Sequence, residues 1–415
     1  MANSYLSPTV ITRETMMRLN NKLSMASHCY TSLEKEFHKI GTTITVRLPL
    51  KLRGANSANI ALNDLTEPSV QLTISNQFNV GMSWPTKDET LTIDEFSKRY
   101  IDPATDTLAN LVDSAMCALA NDVYNCVGTP GATPATFAVL GSAGQRLTEE
   151  GVPRAGRVGI LNPAAEYALG DGLRQYMYNP SLSKELLESG FLGRVNGTDL
   201  YGDQNVLTHT TGHFTTGATP LVNGSTVSGA TQLIADGFTT TTGTVTAGDV
   251  FTLGTLGGSG ATAPVFAVNP VSGASTGVLR QFVVTEAATS TGGGDMTIKC
   301  SPALIDGTAT QATALGAYQT VSVLPANNCP INFLGTQDSS YPQNLIYHPH
   351  AFALVCVPLE MPENTWGARV SDPQTGLSIR LTKQWAIGTD VKYTRLDLLC
   401  GVKTIYPQLA CRLVG

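Results

Sequence analysis

The chain has 415 residues, room for two or three domains that each bury a core. Charged residues make up 14% of it, against a usual share of about a quarter, and the net charge is −6. This balance excludes a basic footprint for specific nucleic-acid binding, and the sparse charge implies that much of the folded surface does not face bulk water.

The eight cysteines never form a C-x-x-C pair and mostly sit in apolar runs such as Leu354-Val355-Cys356-Val357. They read as buried thiols in a reducing compartment. Met1-Ala2-Asn3-Ser4 is not a basic region leading into an apolar block, and no long run of Leu, Ile, Val and Phe follows, so a soluble chain made in a cytosol is expected.

Residues 1–38 are polar, with Met16, Leu19 and Leu23 at helical spacing after Pro8 and Thr12. The pattern predicts a short amphipathic helix, either on an extended arm or as a plain N-terminal cap. Two long alternating runs follow. Ile44, Val46, Leu48, Leu50 and Leu52 alternate with polar partners, and Val70, Leu72, Ile74, Phe78, Val80, Met82 and Trp84 keep the same period, broken only at Asn76. At about 3.3 Å per residue the second run would reach about 50 Å, well beyond an ordinary strand. Periodicity alone leaves two readings open: an arm whose apolar face lies on another molecule, or two long strands of an ordinary sheet. Lys51 and Arg53 fall on the polar face, as solvated residues or as intersubunit ion pairs. The connector from Gly54 to Glu67 is long for a hairpin loop.

Asp102-Pro103 opens the clearest predicted helix, with Asp102 as N-cap, Pro103 at the first helical position and a stripe of Leu108, Leu111, Val112, Ala115, Met116, Leu119 and Val123 ending at Gly128. About 25 residues at about 1.5 Å each would make a spine near 37 Å long. Asp94, Glu95, Asp102 and Asp106 flank this start, where carboxylates suit the helix dipole without any acid/base role. Val158 to Leu161 reads as a short buried strand, and Asn162-Pro163 and Pro180-Ser181 start two shorter helices, the second ending at Gly190.

Composition changes at Thr215. Down to Thr320 the chain is dominated by Thr, Gly, Ala and Ser, with strand candidates at Val250–Leu253, Val265–Val268, Gln281–Thr285 and Met296–Cys300 between Gly-rich turns. Phe251, Phe266 and Phe282 favour a small all-β domain over a disordered linker. After Val321 the earlier character returns, with strands at Ala351–Val357, Ile379–Ile387, Val391–Cys400 and Ile405–Leu413 and turns at Gly388-Thr389-Asp390 and Gly401. An all-β block between two α+β segments is most simply an insertion into a host domain.

Catalytic signatures are weak. Gly273-Ala274-Ser275-Thr276-Gly277 matches G-x-S-x-G, but that elbow needs a strand before it and a helix after it, and Val278 continues into another strand. His209-x-x-x-His213 lies in poor helix sequence with no evident acidic third ligand, and His348-Pro349-His350 shares the defect; polar loop histidines are the simpler account. No phosphate-binding Gly-rich loop, Walker-type Lys or metal cluster is evident, so no cofactor and no enzymatic activity are expected.

Taken in order, Leu6-Ser7-Pro8-Thr9-Val10-Ile11-Thr12-Arg13-Glu14, Thr66-Glu67-Pro68-Ser69-Val70, Leu91 to Ile101, Gly193-Arg194-Val195-Asn196-Gly197-Thr198-Asp199-Leu200-Tyr201, Asn205-Val206 and His209-Thr210 resemble the major capsid proteins of tailed bacteriophages. Within these the resemblance is to the podovirus coat-protein family that carries an inserted β-barrel. It implies an α+β fold shared by tailed phages and herpesviruses, with an N-terminal arm (1–38), an extended β-hairpin loop (39–85), a peripheral and axial domain in two parts (86–216 and 321–415) with a spine helix, and an inserted all-β domain (217–320). It further implies pentamers and hexamers of this chain closing an icosahedral shell around double-stranded DNA, assembled in a host bacterial cytoplasm. Scaffolding and portal proteins would direct assembly, a cement protein is an open addition, contact with packaged DNA would be non-specific, and no membrane is involved. Leu50, Lys51, Arg53, Val80, Met16 and Leu19 are the intersubunit contact candidates. No motif carries a Lys–Asn crosslink onto a residue here, so a noncovalent shell is expected. The alternatives are a β-rich adhesin or glycan-binding protein centred on the insertion, and a hydrolase using Ser275.

Overall fold

The computed structural model describes residues 8–31, 42–52, 67–85, 101–174, 193–214, 219–307, 316–363, 365–372 and 376–415. The chain divides into two compact units, the first from Met1–Val46, Ser69–Cys117 and Phe352–Ile405 and the second from Arg47–Pro68, Ala118–Ala351 and Tyr406–Gly415.

The first unit is organised by one strand, Val391–Thr404. Along one side it pairs antiparallel with Asn76–Pro85, and along the other first with Ser378–Ala386 and then with Phe352–Cys356; Trp366–Ser371 completes the five-stranded sheet on the outside of Ser378–Ala386. Ile379, Leu381, Leu396, Leu398 and Cys400 are buried on one face of this sheet. Two helices, α1 (Pro8–Lys22) and α2 (Asp102–Cys117), pack on the sheet and on each other. The expected spine helix is therefore shorter than its apolar stripe: α geometry stops at Cys117, and Ala118–Asp122 tightens into a 3₁₀ turn.

Four expectations fail in this unit. Met16 and Leu19 are only 4% and 0% exposed, so the apolar stripe of α1 fills its own subunit's core and is not an intersubunit contact. Burying each such side chain contributes about 1.5–3 kcal/mol, which is reason enough for α1 to dock where it stands. After α1 the chain stays on the unit, with Tyr30 bridging Ala353, so residues 8–31 are no free arm. The second alternating run is not one strand either. It breaks at Ile74-Ser75 into Ser69–Thr73, which pairs with Thr43–Arg47, and Asn76–Pro85, which joins the five-stranded sheet and takes Val80 with it, opposite Leu396. Alternation reports which face is buried, not which strand lies alongside. Gly401, expected in a turn, sits inside Val391–Thr404. A Cβ built there would lie 2.7 Å from the Thr73 carbonyl oxygen, so glycine lets the neighbouring backbone pass.

Polar contacts fix the helices. Asp113 on α2, buried, accepts hydrogen bonds from the Ser24 and Ala26 backbone N–H groups, both at 2.9 Å. Asp102 does not act as a simple cap; its carboxylate meets Arg18 of α1, while Lys22 pairs with Asp106 at 2.6 Å. Asp94, Glu95 and the connector 54–66 lie outside the described residues.

The second unit contains a mixed sheet in the order Cys126–Gly128, Ala410–Val414, Ser340–Tyr347, Arg157–Leu161, Thr198–Gly202, Arg194–Val195, with Thr208–Thr210 pairing the start of Ser340–Tyr347. Helices α3 (Phe137–Glu149) and α4 (Pro163–Arg174) share a core with it through Leu140, Ala143, Leu147, Leu161, Leu169, Ile346 and Leu413. Helix α3 has no counterpart in the sequence reading, although Thr136 caps it by accepting from the Val139 N–H at 3.4 Å. The helix expected from Pro180 lies outside the described residues.

Between these strands the chain forms an antiparallel sheet in the order Ile331–Phe333, Val250–Leu253, Gln281–Val284, Met296–Leu304, Ala230–Asp236, Leu221–Val222. Its ends meet. Leu221 bridges Pro330, the Val222 N–H donates to the Cys329 carbonyl at 2.8 Å, and the Ile331 N–H donates to the Pro220 carbonyl at 2.8 Å, so the sheet closes into a barrel with no free edge. The interior holds Phe251 stacked on Phe282 at 5.5 Å between ring centroids, with Leu233, Ile298 and Ile331 around them. The barrel ends at Phe333, not at residue 320. The Thr/Gly/Ala-rich composition ends near Val321, but closure needs one more strand.

The barrel meets the mixed sheet through buried polar groups. Arg412 of Ala410–Val414 is almost inaccessible; it donates from Nε to the Val123 carbonyl at 2.6 Å, from Nη1 to the Gly248 carbonyl at 2.8 Å and from Nη2 to the Asn121 carbonyl at 3.2 Å. The Gln281 side-chain amide exchanges two bonds with the Cys126 backbone, and Arg280 pairs with Glu150 at 2.5 Å beneath the Tyr124 ring. His209 pairs with Asp249 at 2.9 Å, both buried, which replaces the expected loop histidine with a core ion pair or hydrogen bond.

Two measurements check these assignments. Asp113→Ala strands two buried N–H donors and is expected to cost about 2 kcal/mol, read in urea as a lower midpoint at unchanged slope. Arg412→Met leaves the Asn121, Val123 and Gly248 carbonyls without their donor and is expected to cost about 3 kcal/mol or more. An unchanged midpoint in either variant would show that the group does not hold its unit together.

Candidate functional site

Exposed apolar surface on a folded chain marks where another molecule can be bound, so the candidate site is sought where such surface is concentrated. In the first unit it gathers at the far end of the sheet. Along Ser378–Ala386 the face that buries Ile379 and Leu381 continues outward to Lys383 and Trp385, and Trp366 sits opposite Lys383. Trp385 is 49% exposed and Ile387, at the turn, 83%. The turn is held by the Trp385 Nε1–H donating to Asp390 at 3.0 Å, with Asp390 itself in the left-handed region at φ 52°. Lys383 lies over the Trp366 ring at 5.4 Å from its centroid. The sequence reading assigned this segment to a plain strand, yet the signal was there: the alternation Ile379, Leu381, Lys383, Trp385, Ile387 runs longer than the helices can cover.

In the second unit the segment after Arg47 is extended, with the Leu48 N–H donating to the Pro68 carbonyl at 2.9 Å and Arg47 pairing with Glu67 at 3.2 Å. Leu50 and Leu52 are 37% and 60% exposed. Lys51 is half-buried. Its Nζ donates to Gln408 at 3.1 Å, its backbone N–H approaches the Tyr318 hydroxyl at 3.4 Å, and burial pushes its pKa down. It is therefore engaged within its own unit. Val80 is half-buried within the first unit's sheet, and Arg53 lies outside the described residues.

The remaining chemical candidates resolve into structural roles. Ser275 opens the strand Ser275–Leu279, which pairs with Phe266–Val268 in a β-ribbon, and its hydroxyl accepts from the Gly277 N–H at 3.3 Å; no helix follows. His213 pairs with Asp338 at 2.6 Å. His348 stacks on His350, and burial, His350 and Arg157 together push its pKa down. Among the described residues no three His, Cys, Asp or Glu side chains group to hold a metal ion, and no described helix is long and apolar enough to cross a membrane. All eight cysteines are free thiols, seven of them buried; burial pushes the Cys29 and Cys300 thiols up to about 12.

Comparison with known proteins gives one match that spans the chain. The family described as "P22 coat protein - gene protein 5" matches residues 3–415. None of the curated proteins matches. Among solved structures the chain is similar to one from Mycobacterium phage Che8 (11% identity, TM-score 0.48, covering 94% of this chain and 90% of that one). It is also similar to the capsid of Ralstonia phage GP4 (11%, 0.41, 92% and 84%) and to a virus-like particle from Pyrococcus furiosus (7%, 0.39, 97% and 97%). With the family match covering nearly every residue, the chain belongs to the P22 coat protein family and is a bacteriophage capsid protein.

Proposed function

We propose that copies of this chain assemble into pentamers and hexamers that close an icosahedral head around double-stranded DNA, in the fold shared by tailed phages and herpesviruses. The observation that carries this reading is the family match over residues 3–415. The first unit, with α2 across its long sheet, has the character of a peripheral domain, and the mixed sheet with α3 and α4 that of an axial domain. The ribbon of Thr43–Arg47 and Ser69–Thr73 fits the base of an extended loop. Scaffolding and portal proteins direct assembly in the host bacterial cytoplasm, a cement protein is an optional addition, and contact with DNA is non-specific, in keeping with the net charge of −6. The barrel is an insertion whose closed, edge-free sheet prevents strand pairing between crowded copies.

Subunit contacts are assigned to the apolar groups left uncovered: Leu50 and Leu52 on the extended segment, and Trp385 and Ile387 at the sheet tip. A shell held by many weak contacts needs such patches on a subunit that folds without them.

Electron microscopy of purified chain with and without scaffold tests the assembly reading; a strictly monomeric species under every condition overturns it. Ile387→Asp and Leu50→Asp are each expected to leave circular dichroism and the unfolding midpoint within about 0.5 kcal/mol of the parent while abolishing shells. Normal shells from both variants would remove these residues from the interface.

A further inference from the structure

In the second unit, α3 and the turn at Asn196 border an open cavity of about 760 Å³, lined by Phe137, Thr148, Glu149, Arg154, Arg157 and Asn196. That volume lies in the range of small-ligand sites, roughly 300–1,000 Å³. Its charges do not balance. Glu149 is satisfied within the protein, by Arg146 at 3.6 Å and by the Gln145 amide at 2.8 Å. Arg157, 2% exposed, meets only neutral acceptors: Nε donates to the Pro153 carbonyl at 2.9 Å, Nη1 to the Gly144 carbonyl at 3.0 Å, and Nη2 to Thr148 Oγ1 at 3.1 Å and the Val152 carbonyl at 2.8 Å. Its second Nη1 N–H has no acceptor among the described residues. Arg154, exposed on the rim, has no carboxylate partner among them either. Burial and the adjacent Arg154 charge both push the Arg157 pKa down, as an uncompensated positive field would.

Two of the donors meet at Gly144, and Arg154 lines the same cavity. Gly144 of α3 leaves a notch: a Cβ placed there would stand 2.7 Å from Asn196 Nδ2 and 3.8 Å from Arg157 Nη1. Asn196 is held over the notch by its left-handed conformation, φ 51°, in the turn between Arg194–Val195 and Thr198–Gly202. A buried guanidinium, an exposed one and a side-chain amide thus line the same space, while the Glu149 carboxylate on that lining is engaged by Arg146 and Gln145 and pairs with neither guanidinium.

We propose that this cavity binds a phosphate group, held by Arg154, the open Nη1 N–H of Arg157 and Asn196 Nδ2. Phosphate is favoured over carboxylate because a charge of about −1.5 to −2 with three acceptor oxygens matches two guanidiniums, and charge-assisted bonds of this kind are the strong ones. The remaining volume accommodates a substituent, so the group arrives either as free phosphate or as a phosphate monoester.

The test is calorimetric titration of the unassembled full-length chain with inorganic phosphate, which keeps its outcome independent of shell formation. Saturable binding is expected, weakened roughly tenfold or more by Arg154→Glu and partly retained by Arg154→Lys. Gly144→Ala, which fills the notch without changing charge, is expected to weaken it as well, and Asn196→Ala serves if either variant fails to fold by circular dichroism. A parallel titration with a nucleoside monophosphate separates the sources: equal or tighter binding supports the ester, and binding of inorganic phosphate alone supports the free ion. No saturable binding, identical affinity in Arg154→Glu and parent, or tighter binding of acetate than of phosphate overturns the proposal.

Discussion

The guanidinium of Arg412 occupies the point at which the barrel and the mixed sheet of the second unit have to agree. It projects from Ala410–Val414, the strand between Cys126–Gly128 and Ser340–Tyr347, and takes carbonyls from residues 121, 123 and 248. A closed barrel has no unsatisfied edge to tell it where to sit, and apolar contacts between Val250, Val283, Tyr341 and Val414 are indifferent to small rotations. Directional bonds from Arg412, Gln281 and the Arg280–Glu150 pair supply the orientation. Arg412, Arg280 and Glu150 are buried and Gln281 partly so, and this docking of barrel on sheet supplies each of them with a partner.

The first unit solves a related problem with one long strand. Val391–Thr404 serves Asn76–Pro85 on one side and two successive partners on the other, so the sheet is continuous although its chain segments are far apart in sequence. Asp397, fully buried, is bracketed by Arg380 at 2.6 Å and Arg395 at 2.5 Å. Helices α1 and α2 cover the inner part of the apolar face and leave the outer part to Trp385 and its neighbours. Covering that tip would need longer helices; left open, it is where the unit's apolar surface is exposed.

This division clarifies the sparse charge of the chain. Part of the deficit is internal, in a barrel made of Thr, Gly and Ala with an aromatic interior, and part lies on exposed apolar groups such as Leu50, Leu52 and Ile387. Three of the cations are buried in the second unit: Arg412 and Arg157 on neutral acceptors, and Arg280 on the Glu150 carboxylate.

What the sequence determined by itself was local and periodic. Val250–Leu253, Val158 to Leu161 and the start of α4 at Pro163 lie where alternation, apolar runs and Asn-Pro place them, and the order of motifs through Leu200 and His209 pointed to the coat-protein family that the match over residues 3–415 establishes. Helix α3 was missed because Gly141, Gly144 and Ser142 dilute its stripe, although Thr136, Leu140, Ala143 and Leu147 mark it in hindsight. Only the tertiary structure decided partners. Met16 and Leu19 have the spacing of an amphipathic helix whether they meet a neighbour or their own sheet, and the run from Val70 to Trp84 alternates identically across the break where it changes from one sheet to another. A side chain's period is set by its own backbone, whereas what fills the space opposite it is set by residues hundreds of positions away; Gly401 against Thr73 and Arg412 against Asn121 are legible only once the chain has brought them together.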